Sequence, residues 1–483
     1  MSRQLLFFLL ILTFTLCLKS QNLSTESFPD DFIFGTASSA YQTEGAWNED
    51  GKGENIWDHM THTRPDKIAD GSNGDIACNS YHKTDEDVAL LKSLGVDHYR
   101  FSLSWARILP TGLPNQINQA GIDYYNQLID KLLENGITPV VTIFHWDLPQ
   151  RLQEIGGFTN SFFITWFTDF AKIVFQKFGD RVKFWTTFNE PKQICNYGYG
   201  TGRFAPGIVS SGIGDYICTH NLIKAHAQVY HLYNEVFRPT QKGRIGIVIE
   251  CGWAEPGSSA IEDIEAAERQ QQFECGLYAN PIFSKHGDYP AIVKDCVADR
   301  SKKEGFPRSR LPAFTTDEIR YIRGTSDYFG INHYITALYV EREPDPIGEP
   351  SFDKDLRVKS WQDPSWPANA INQFRTVPWG LRNALKWIKD TYNDPEIYIT
   401  ENGAPDDKTT LHDTKRIDYH LGYLSSVLDA IYIDKVKVKS YFLWSFMDYF
   451  EWDNGHTVGF GLHYVNYTDP GRPRILKDSA GVY

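Results

Sequence analysis

The chain has 483 residues, of which 41% are hydrophobic and 23% are charged, and its formal net charge at pH 7 is −13. These proportions are ordinary for a globular protein and leave ample material for a large core. The acidic balance argues against a nucleic-acid partner, because binding to a phosphate backbone requires a basic surface.

The N-terminal segment is expected to be a signal peptide rather than part of the fold. Residues 5–18 form an uncharged apolar run with Arg3 before it and Lys19 after it. The run is too short to span a bilayer comfortably, and its length and position are typical of a secretory signal. We therefore expect removal of residues 1–20, a secreted protein made of residues 21–483, and no membrane anchor; a retained anchor is the alternative.

Six cysteines follow this segment, and their spacing indicates no metal site. They are Cys78, Cys195, Cys218, Cys251, Cys275 and Cys296. Sequence alone does not choose their pairing, and a fold of this size does not depend on disulfides. We expect mostly buried free thiols, with one bridge at most. In a secreted chain, Asn22 and Asn466 lie in glycosylation sequons, the first of them close to the expected cleavage site.

Eight short apolar runs alternate with segments of helical periodicity. The runs are residues 32–37, 96–102, 139–145, 182–189, 245–251, 328–332, 397–401 and 438–445. Their near-continuous apolar character is typical of parallel strands that are covered on both faces. Strand and helix alternating eight times predict an α/β fold, a (β/α)8 TIM barrel with enlarged βα loops, as a single domain.

Two of the intervening helices and one loop are clear from the sequence. Asp85 is predicted to cap a helix that ends at Gly95. A second helix before Gly136 is predicted from apolar residues at helical spacing, namely Ile122, Tyr125, Leu128, Ile129 and Leu132. Residues 341–375 are rich in Pro, Asp and Glu, and we interpret them as a long loop after the sixth strand.

Two glutamates end strand-like runs at equivalent places in the predicted barrel. Glu190 lies in Thr187-Phe188-Asn189-Glu190-Pro191 at the end of the fourth strand, and Glu401 lies in Ile399-Thr400-Glu401-Asn402-Gly403 at the end of the seventh. Barrel enzymes place their sites at the C-terminal ends of the strands, so the two carboxyls are expected to meet. A close pair suits cleavage of a glycosidic bond, because proximity leaves one carboxyl protonated and the other ionised. Either motif alone is more often a solvated loop or ion-pair residue.

Further polar and aromatic residues fall at the same strand ends. They are Gln42, Arg100, His145, Trp146, Asn332, Tyr334, Trp444, Glu451 and Trp452. Sugar recognition requires planar hydrogen-bonding side chains together with aromatic platforms. Each residue alone is more often structural, but packing does not explain all of them at one end of one barrel.

At this point the chain resembles glycoside hydrolase family 1, the β-glucosidase family, over nearly all of the mature chain. The matching segments are Phe34-Gly35-Thr36-Ala37-Ser38-Ser39-Ala40-Tyr41-Gln42, Tyr99-Arg100-Phe101-Ser102, Phe144-His145-Trp146-Asp147, Thr187-Phe188-Asn189-Glu190-Pro191, Ile331-Asn332-His333-Tyr334, Ile399-Thr400-Glu401-Asn402-Gly403 and Phe450-Glu451-Trp452. Together these segments are very specific.

The resemblance implies a retaining mechanism without metal or cofactor. Glu190 would be the general acid/base and Glu401 the nucleophile, with carboxyls about 5–5.5 Å apart. Arg100 and Tyr334 would orient Glu401, and Arg100 would favour its ionised form. The residues expected to bind the glycone are Gln42, His145, Trp146, Asn189, Asn332, Tyr334, Trp444, Glu451 and Trp452. A carboxylate at Glu451 would repel a phosphosugar, so we expect neutral β-glucosides, with fucosides or galactosides as further substrates.

Several positions depart from the family pattern or bear on the aglycone. Tyr449 stands where the family usually has Asn, and Gln373 stands where many relatives carry a Trp that lines the aglycone site. Lys192 directly follows the Asn-Glu-Pro motif, and Arg375 is close to Gln373. A lost aromatic platform beside two positive charges would suit a polar or anionic aglycone. The alternative, which we favour, is that both charges are solvated, because loops vary freely.

Two rival functions are left open beside a secreted β-glucosidase. A myrosinase-like thioglucosidase would cleave glucosinolates, but plant members of that group lack the acid/base glutamate that is present here as Glu190. A non-catalytic sugar-binding relative would typically lose one of the two glutamates, and both are here. The sequence also leaves the oligomeric state open, a homodimer included.

Overall fold

The computed structural model of this protein describes residue 24 and residues 26–482. The predicted signal peptide and the sequon at Asn22 lie outside these residues. Within the described part of the chain, no helix combines the length and the apolar character needed to cross a membrane.

The fold is a closed barrel of eight parallel strands, as predicted. In chain order the strands are β1 (Ile33–Ala37), β2 (His98–Ser102), β3 (Thr138–Phe144), β4 (Phe184–Asn189), β5 (Arg244–Glu250), β6 (Phe329–Asn332), β7 (Ile397–Asn402) and β8 (Val438–Trp444). Each strand pairs with the next one along the chain, and β8 closes the barrel by pairing with β1. The eight predicted strands are confirmed, with bounds that differ by at most two residues.

Helices and long loops cover the barrel, so its strands are buried on both faces. On β3, the neighbours Val141 and Thr142 point to opposite faces, and both are fully buried. Burial on both sides explains why the sequence shows apolar runs rather than strict alternation. Because the strands are parallel, all their carboxyl ends meet at one end of the barrel, where the enlarged loops emerge.

The helical layer contains both long and very short elements. The α-helices are Ala40–Thr43, Ile56–Thr63, Thr84–Leu94, Trp105–Ile108, Gln119–Glu134, Gln150–Gln153, Phe163–Phe178, Gly214–Leu232, Arg238–Gln241, Ile261–Gln271, Leu277–Phe283, Ala291–Lys303, Thr316–Ile322, Phe352–Leu356, Pro378–Thr391 and Thr414–Tyr432. Three π-helical turns are Gln193–Gly198, Tyr233–Phe237 and Gln272–Gly276. Both helices singled out in the sequence are present as Thr84–Leu94 and Gln119–Glu134.

The predicted start of the first of these helices is wrong by two positions. Lys83 is its N-cap and gives no side-chain capping bond, while Asp85 lies inside the first turn. An acidic side chain in the first turn still favours the helix, because the N-terminal end carries partial positive charge. The predicted end is confirmed, since Gly95 takes the left-handed conformation at φ 75°.

The segment interpreted as a long loop contains regular structure. Strands Thr336–Glu341 and Val358–Trp361 pair in antiparallel fashion, and the short helix Phe352–Leu356 lies between them. The strand Trp253–Pro256, which follows β5, adds to this sheet in parallel. The strand Val358–Trp361 has four residues of which three are exposed, so its sequence shows no apolar run.

The expectation of mostly free thiols is wrong for four of the six cysteines. Disulfides join Cys195 to Cys218 and Cys251 to Cys275, with Cα–Cα distances of 5.3 and 5.1 Å that suit such bonds. Cys78 and Cys296 are free. The sequence did not indicate the pairs, because each joins a segment after a barrel strand to a helix of the outer layer.

The sequon at Asn466 lies in the connection between two short antiparallel strands, His463–Val465 and Arg474–Leu476. The Asn466 side chain is half-buried, and its Oδ1 accepts bonds from the backbone N–H and the hydroxyl of Thr468. Glycosylation at this position stays a prediction.

Peptide mapping without reduction is expected to recover both disulfides. Alkylation of the denatured, unreduced protein should label Cys78 and Cys296 and leave two linked peptide pairs, Cys195 with Cys218 and Cys251 with Cys275. Labelling of all these cysteines without reductant, or a link of another pairing, would contradict the assignment. Prior reduction is the control, and it should make every one of them reactive.

Candidate active site

A cavity of about 120 Å³ lies at the carboxyl ends of the strands. It is lined by His145, Trp146, Glu190, Lys192, Gln193, Tyr197, Arg203, Phe204, Glu250, Tyr334, Ile335, Ile371, Gln373, Phe374, Glu401, Trp444, Glu451, Trp452, Asn454 and Phe460. Both predicted catalytic glutamates are therefore in one cavity, although they are far apart in the sequence.

The backbone at the cavity wall is held in uncommon conformations. Trp146, Glu190 and Trp452 have φ values of 77°, 49° and 48°, in the left-handed region. For residues other than glycine this region costs on the order of 1–3 kcal/mol each and persists only where the surroundings enforce it. The β4–β5 and β6–β7 pairings also shift register just before Asn189 and Glu401, which redirects the side chains at the strand ends.

Glu401 is held by two donors that favour its charged form. Arg100 Nη1 donates to Glu401 Oε1 at 2.5 Å, and the Tyr334 hydroxyl donates to Oε2 at 2.8 Å. Burial raises the pKa of Glu401, and the Arg100 charge and both hydrogen bonds oppose that rise. The predicted orienting roles of Arg100 and Tyr334 fit these contacts.

Glu190, unlike Glu401, lies in an environment that favours its protonated form. Its Oε1 accepts a 2.8 Å bond from Asn332 Nδ2, and the carboxyl is 4% exposed. Burial, followed by the charges of Glu401 and Glu250, holds the pKa of Glu190 well above its usual range. The two carboxyls therefore differ as acids, with Glu190 the one that keeps its proton.

Two asparagines lie behind the carboxyls rather than on the cavity surface. Asn189 Oδ1 accepts from Arg100 Nη2 at 2.6 Å and from Asn332 Nδ2 at 3.1 Å. Asn332 Oδ1 in turn accepts from the Thr400 hydroxyl at 2.7 Å. Hydrogen bonding from Asn332 also lowers the pKa of Glu401, so one amide is close to both carboxyls. Asn332 was predicted to touch substrate, but its contacts are those of a positioning residue.

His145, which lies between two indole rings, forms another part of the cavity wall. The His145 ring stacks near Trp444 and Trp452, with centroid distances of 5.9 and 6.1 Å. Burial and then the Arg100 charge hold the pKa of His145 well below its usual range, so the ring is neutral. Asn189 Nδ2 lies 3.1 Å from His145 Nε2, and no described residue bonds to the buried Nδ1.

The Glu451 carboxyl completes this wall together with groups behind it. Gln42 Nε2 donates to Glu451 Oε2 at 3.4 Å, and Gln42 is fully buried beneath the surface. Burial raises the pKa of Glu451 to about 8, and a hydrogen bond from Tyr449 opposes the rise. The Tyr449 hydroxyl also bonds to Trp444 Nε1. The family departure at Tyr449 therefore links two cavity residues.

The predicted aglycone residues do not present free positive charge to the cavity. Lys192 lines it, but its ammonium is 2.9 Å from Glu274 and 3.6 Å from Glu250. Arg375 does not line it; its guanidinium bonds to the carbonyl oxygen of Trp366 at 2.6 Å. The favoured alternative of two solvated charges is wrong for Lys192. Gln373 lines the cavity as expected.

Sequence reasoning missed many of the lining residues. These are Gln193, Tyr197, Arg203, Phe204, Glu250, Ile335, Ile371, Phe374, Asn454 and Phe460. Glu250 could have been predicted from the sequence, because it ends β5 in the way that Asn189 ends β4. Most of the others sit in the enlarged loops, where no periodic signal marks them. Among the described residues, no group of three or more His, Cys, Asp or Glu could hold a metal ion.

A family model described as glycosyl hydrolase family 1 matches residues 24–483. The chain belongs to this family. The resemblance carried by the sequence motifs is confirmed, and the chain has the barrel fold of its family.

Relatives of this family 1 enzyme carry different activities in their names. Human lactase/phlorizin hydrolase is 48% identical over 95% of this chain, which spans 24% of the length of that protein. Myrosinase 1 of Brevicoryne brassicae is 46% identical over 94% of this chain and 96% of its own length. A rice β-glucosidase structure has a TM-score of 0.90 at 40% identity, covering 95% of this chain and 98% of its own. Family and fold are shared, so the substrate has to be argued from the site.

The substitution Glu190→Gln is expected to stabilise the protein increasingly as pH rises. Because the pKa of Glu190 is raised in the folded state, its contribution is full below the unfolded value of about 4.3 and is lost as pH rises through the folded value. Glutamine is neutral throughout and escapes this loss, which is about 1.4 kcal/mol for each unit of the rise.

Thermal unfolding between about pH 5 and pH 8 measures the effect. The unfolding temperature of the variant should exceed that of the wild type by a margin that grows with pH. Glu265→Gln removes an exposed carboxylate and is the matched control, with a small and flat difference. A margin for Glu190→Gln that shrinks as pH rises would contradict the raised pKa.

Proposed function

We propose that this protein is a secreted retaining β-glucosidase, with Glu401 as the nucleophile and Glu190 as the general acid/base. The supporting observation is the unequal pairing of two buried carboxyls in one cavity. Glu401 is bonded to Arg100 and Tyr334, whereas Glu190 is bonded to the neutral amide of Asn332. An ionised and a protonated carboxyl side by side are what retaining cleavage of a glycoside requires.

In the first step, Glu401 attacks the anomeric carbon while Glu190 donates its proton to the glycosidic oxygen. The bond from carbon to the leaving oxygen breaks, the aglycone leaves as an alcohol, and a glycosyl ester forms on Glu401. Arg100 and Tyr334 keep the attacking carboxylate ionised and aimed. Both donors contact the Glu401 carboxylate in the structure.

In the second step, Glu190 acts as a base toward water. Esterification removes the negative charge of Glu401, which is one of the two charges that raise the pKa of Glu190. The pKa of Glu190 therefore falls once the ester forms, and its carboxylate can take a proton from the attacking water. Hydrolysis of the ester releases the sugar with its original anomeric configuration.

The glycone is proposed to bind against the wall formed by His145, Trp444, Glu451 and Trp452, with Trp146 at its edge. The neutral His145 ring lines the cavity, and Glu451 offers acceptor oxygens. Indole faces pack against the apolar C–H faces of a sugar ring. A carboxyl at this place favours neutral sugars over phosphosugars, which supports glucosides, with fucosides or galactosides as further substrates.

Two observations support secretion. Residues 5–18 have the length and composition of a signal-peptide core. Disulfides form and persist in oxidising compartments, and the structure has them at Cys195–Cys218 and Cys251–Cys275.

A thioglucosidase is the second candidate, because one relative bears the name myrosinase. An oxygen leaving group needs a proton, and Glu190 is present in a site that keeps it protonated. The Lys192 ammonium, which would have to meet the sulfate of a glucosinolate, is already paired with two carboxylates. These two observations favour O-glucosides.

Labelling and substitution test the nucleophile. A 2-deoxy-2-fluoro-β-glucoside with a good leaving group should form a stable ester, and peptide mapping should place it on Glu401. Glu401→Gln should lower hydrolysis of aryl β-glucosides by a factor on the order of 10⁴ or more, as removal of a nucleophile does elsewhere. An adduct on another residue, or release of the α-anomer seen by NMR, would refute the assignment.

Leaving-group dependence tests the acid. Glu190→Gln should slow hydrolysis most for alkyl and unactivated aryl glucosides, because these leaving groups depend on protonation. With activated aryl glucosides, a burst of phenol should be followed by slow turnover, and azide should restore turnover with a β-glycosyl azide product. An equal loss for good and poor leaving groups, without rescue by azide, would count against this role.

A further inference from the structure

Three charged side chains form a cluster beside the leaving-group half of the cavity, defined here as the part lined by Lys192, Gln193, Tyr197, Glu250 and Gln373. The cluster consists of Glu250, Lys192 and Glu274. The Lys192 ammonium is 2.9 Å from Glu274 Oε1 and 3.6 Å from Glu250 Oε2. One cation faces two carboxylates, so the cluster carries one negative charge in excess when all three are ionised.

The structure holds the two carboxylates in place by covalent and hydrogen bonds. The Cys251–Cys275 disulfide joins the residue after Glu250 to the residue after Glu274. Gln193 Nε2 donates to Glu250 Oε2 at 2.5 Å, and Gln270 Nε2 donates to Glu274 Oε2 at 2.6 Å. This arrangement fixes the carboxylates beside each other.

Glu250 exposes one carboxylate oxygen to the cavity. Glu250 lines the cavity while remaining 6% exposed, and both Gln193 and Lys192 contact its Oε2. No residue in the described part of the chain donates to Oε1. Burial raises the pKa of Glu250, and the Lys192 ammonium opposes that rise. A buried carboxyl group with a free acceptor oxygen calls for a donor from the ligand.

The cations described at the cavity wall are already paired with carboxylates. Arg203 lines the cavity, and its Nε donates to Asp453 at 2.7 Å. Glu401 is matched by Arg100 at 2.5 Å. The surplus negative charge of the cluster is therefore not neutralised by another cation that the structure describes at this wall.

We propose that the Glu250–Lys192–Glu274 cluster makes the leaving-group half of the cavity selective for aglycones that carry an alkylammonium group, and selective against carboxylate or sulfate groups. The proposal rests on the proposed function, because it assigns the leaving group to this half of the cavity. It is the reverse of the anionic aglycone that free positive charges at Lys192 and Arg375 would suit.

Four matched aryl glucosides test the proposal. They are phenyl β-glucosides whose para position carries 2-aminoethyl, 2-hydroxyethyl, propyl or 2-carboxyethyl. Two methylene groups insulate the phenol oxygen from the charge, so the four leaving groups are similar in acidity. In the wild type, kcat/KM for the ammonium substrate should exceed that for the propyl substrate about tenfold, the size of one charge-assisted hydrogen bond. The carboxylate substrate should fall below the propyl one.

Two isosteric variants test whether the cluster causes the selectivity for the ammonium substrate. Glu250→Gln and Glu274→Gln each remove the surplus charge and should bring the ammonium-to-propyl ratio close to one. The ratio is measured on the same enzyme with similar leaving groups, so the effect of the substitution itself on the acid strength of Glu190 cancels from it. Glu265→Gln makes the same change in net charge at an exposed position and should keep the tenfold ratio.

The outcomes separate this proposal from the proposed function. If none of the four glucosides is hydrolysed, the β-glucosidase assignment fails. If the propyl substrate is hydrolysed and the ammonium substrate shows no advantage, the selectivity is refuted while the assignment stands. A hydroxyethyl substrate as good as the ammonium one, or a ratio that survives in both variants, also overturns it. If Glu250→Gln does not fold, the wild-type ratio and Glu274→Gln decide.

Discussion

The buried guanidinium of Arg100 is the group on which the rest of the site depends. Arg100 is fully buried on β2, and it bonds to Glu401 on β7 and to Asn189 on β4. A buried cation is tolerated only when it is paired and hydrogen-bonded, so Glu401 has to be ionised and has to stay on this side of the cavity. One charge thereby fixes three strands relative to each other and sets the charge state of Glu401, the proposed nucleophile.

The same guanidinium determines the donors and acceptors around it. Asn189 Oδ1 is occupied by Arg100 and Asn332, so its Nδ2 has to donate to His145 Nε2. His145 is neutral and accepts at Nε2, so its proton lies on Nδ1, where no described residue competes for it. Asn332 Oδ1 is occupied by the Thr400 hydroxyl, so the Asn332 amide N–H is the group that faces Glu190. The hydrogen-bond directions in the wall proposed to bind the sugar thus follow from one another, starting at Arg100.

The sequence predicted the barrel and the convergence of Glu190 and Glu401 because both depend on local signals and one topological rule. Apolar runs marked the strands, and parallel order brought Glu190 and Glu401 to one end without knowledge of a contact. The disulfides, the hairpin of Val358–Trp361 and the pairing of Lys192 with Glu274 depend on how long loops fold back over the barrel. Lys192 and Glu274 are 82 residues apart, and neither stands in a motif that points to the other.

Glu190 lies between two anions that belong to different halves of the cavity. Glu401 is matched by Arg100, whereas Glu250 shares one lysine with Glu274. Both Glu401 and Glu250 raise the pKa of Glu190, so the carboxylate that faces the leaving group also keeps the acid protonated. A cation brought by the aglycone would neutralise part of that field and make Glu190 a stronger acid while the leaving oxygen is near. In the proposed mechanism, binding of the leaving group and its protonation would therefore be coupled through Glu250.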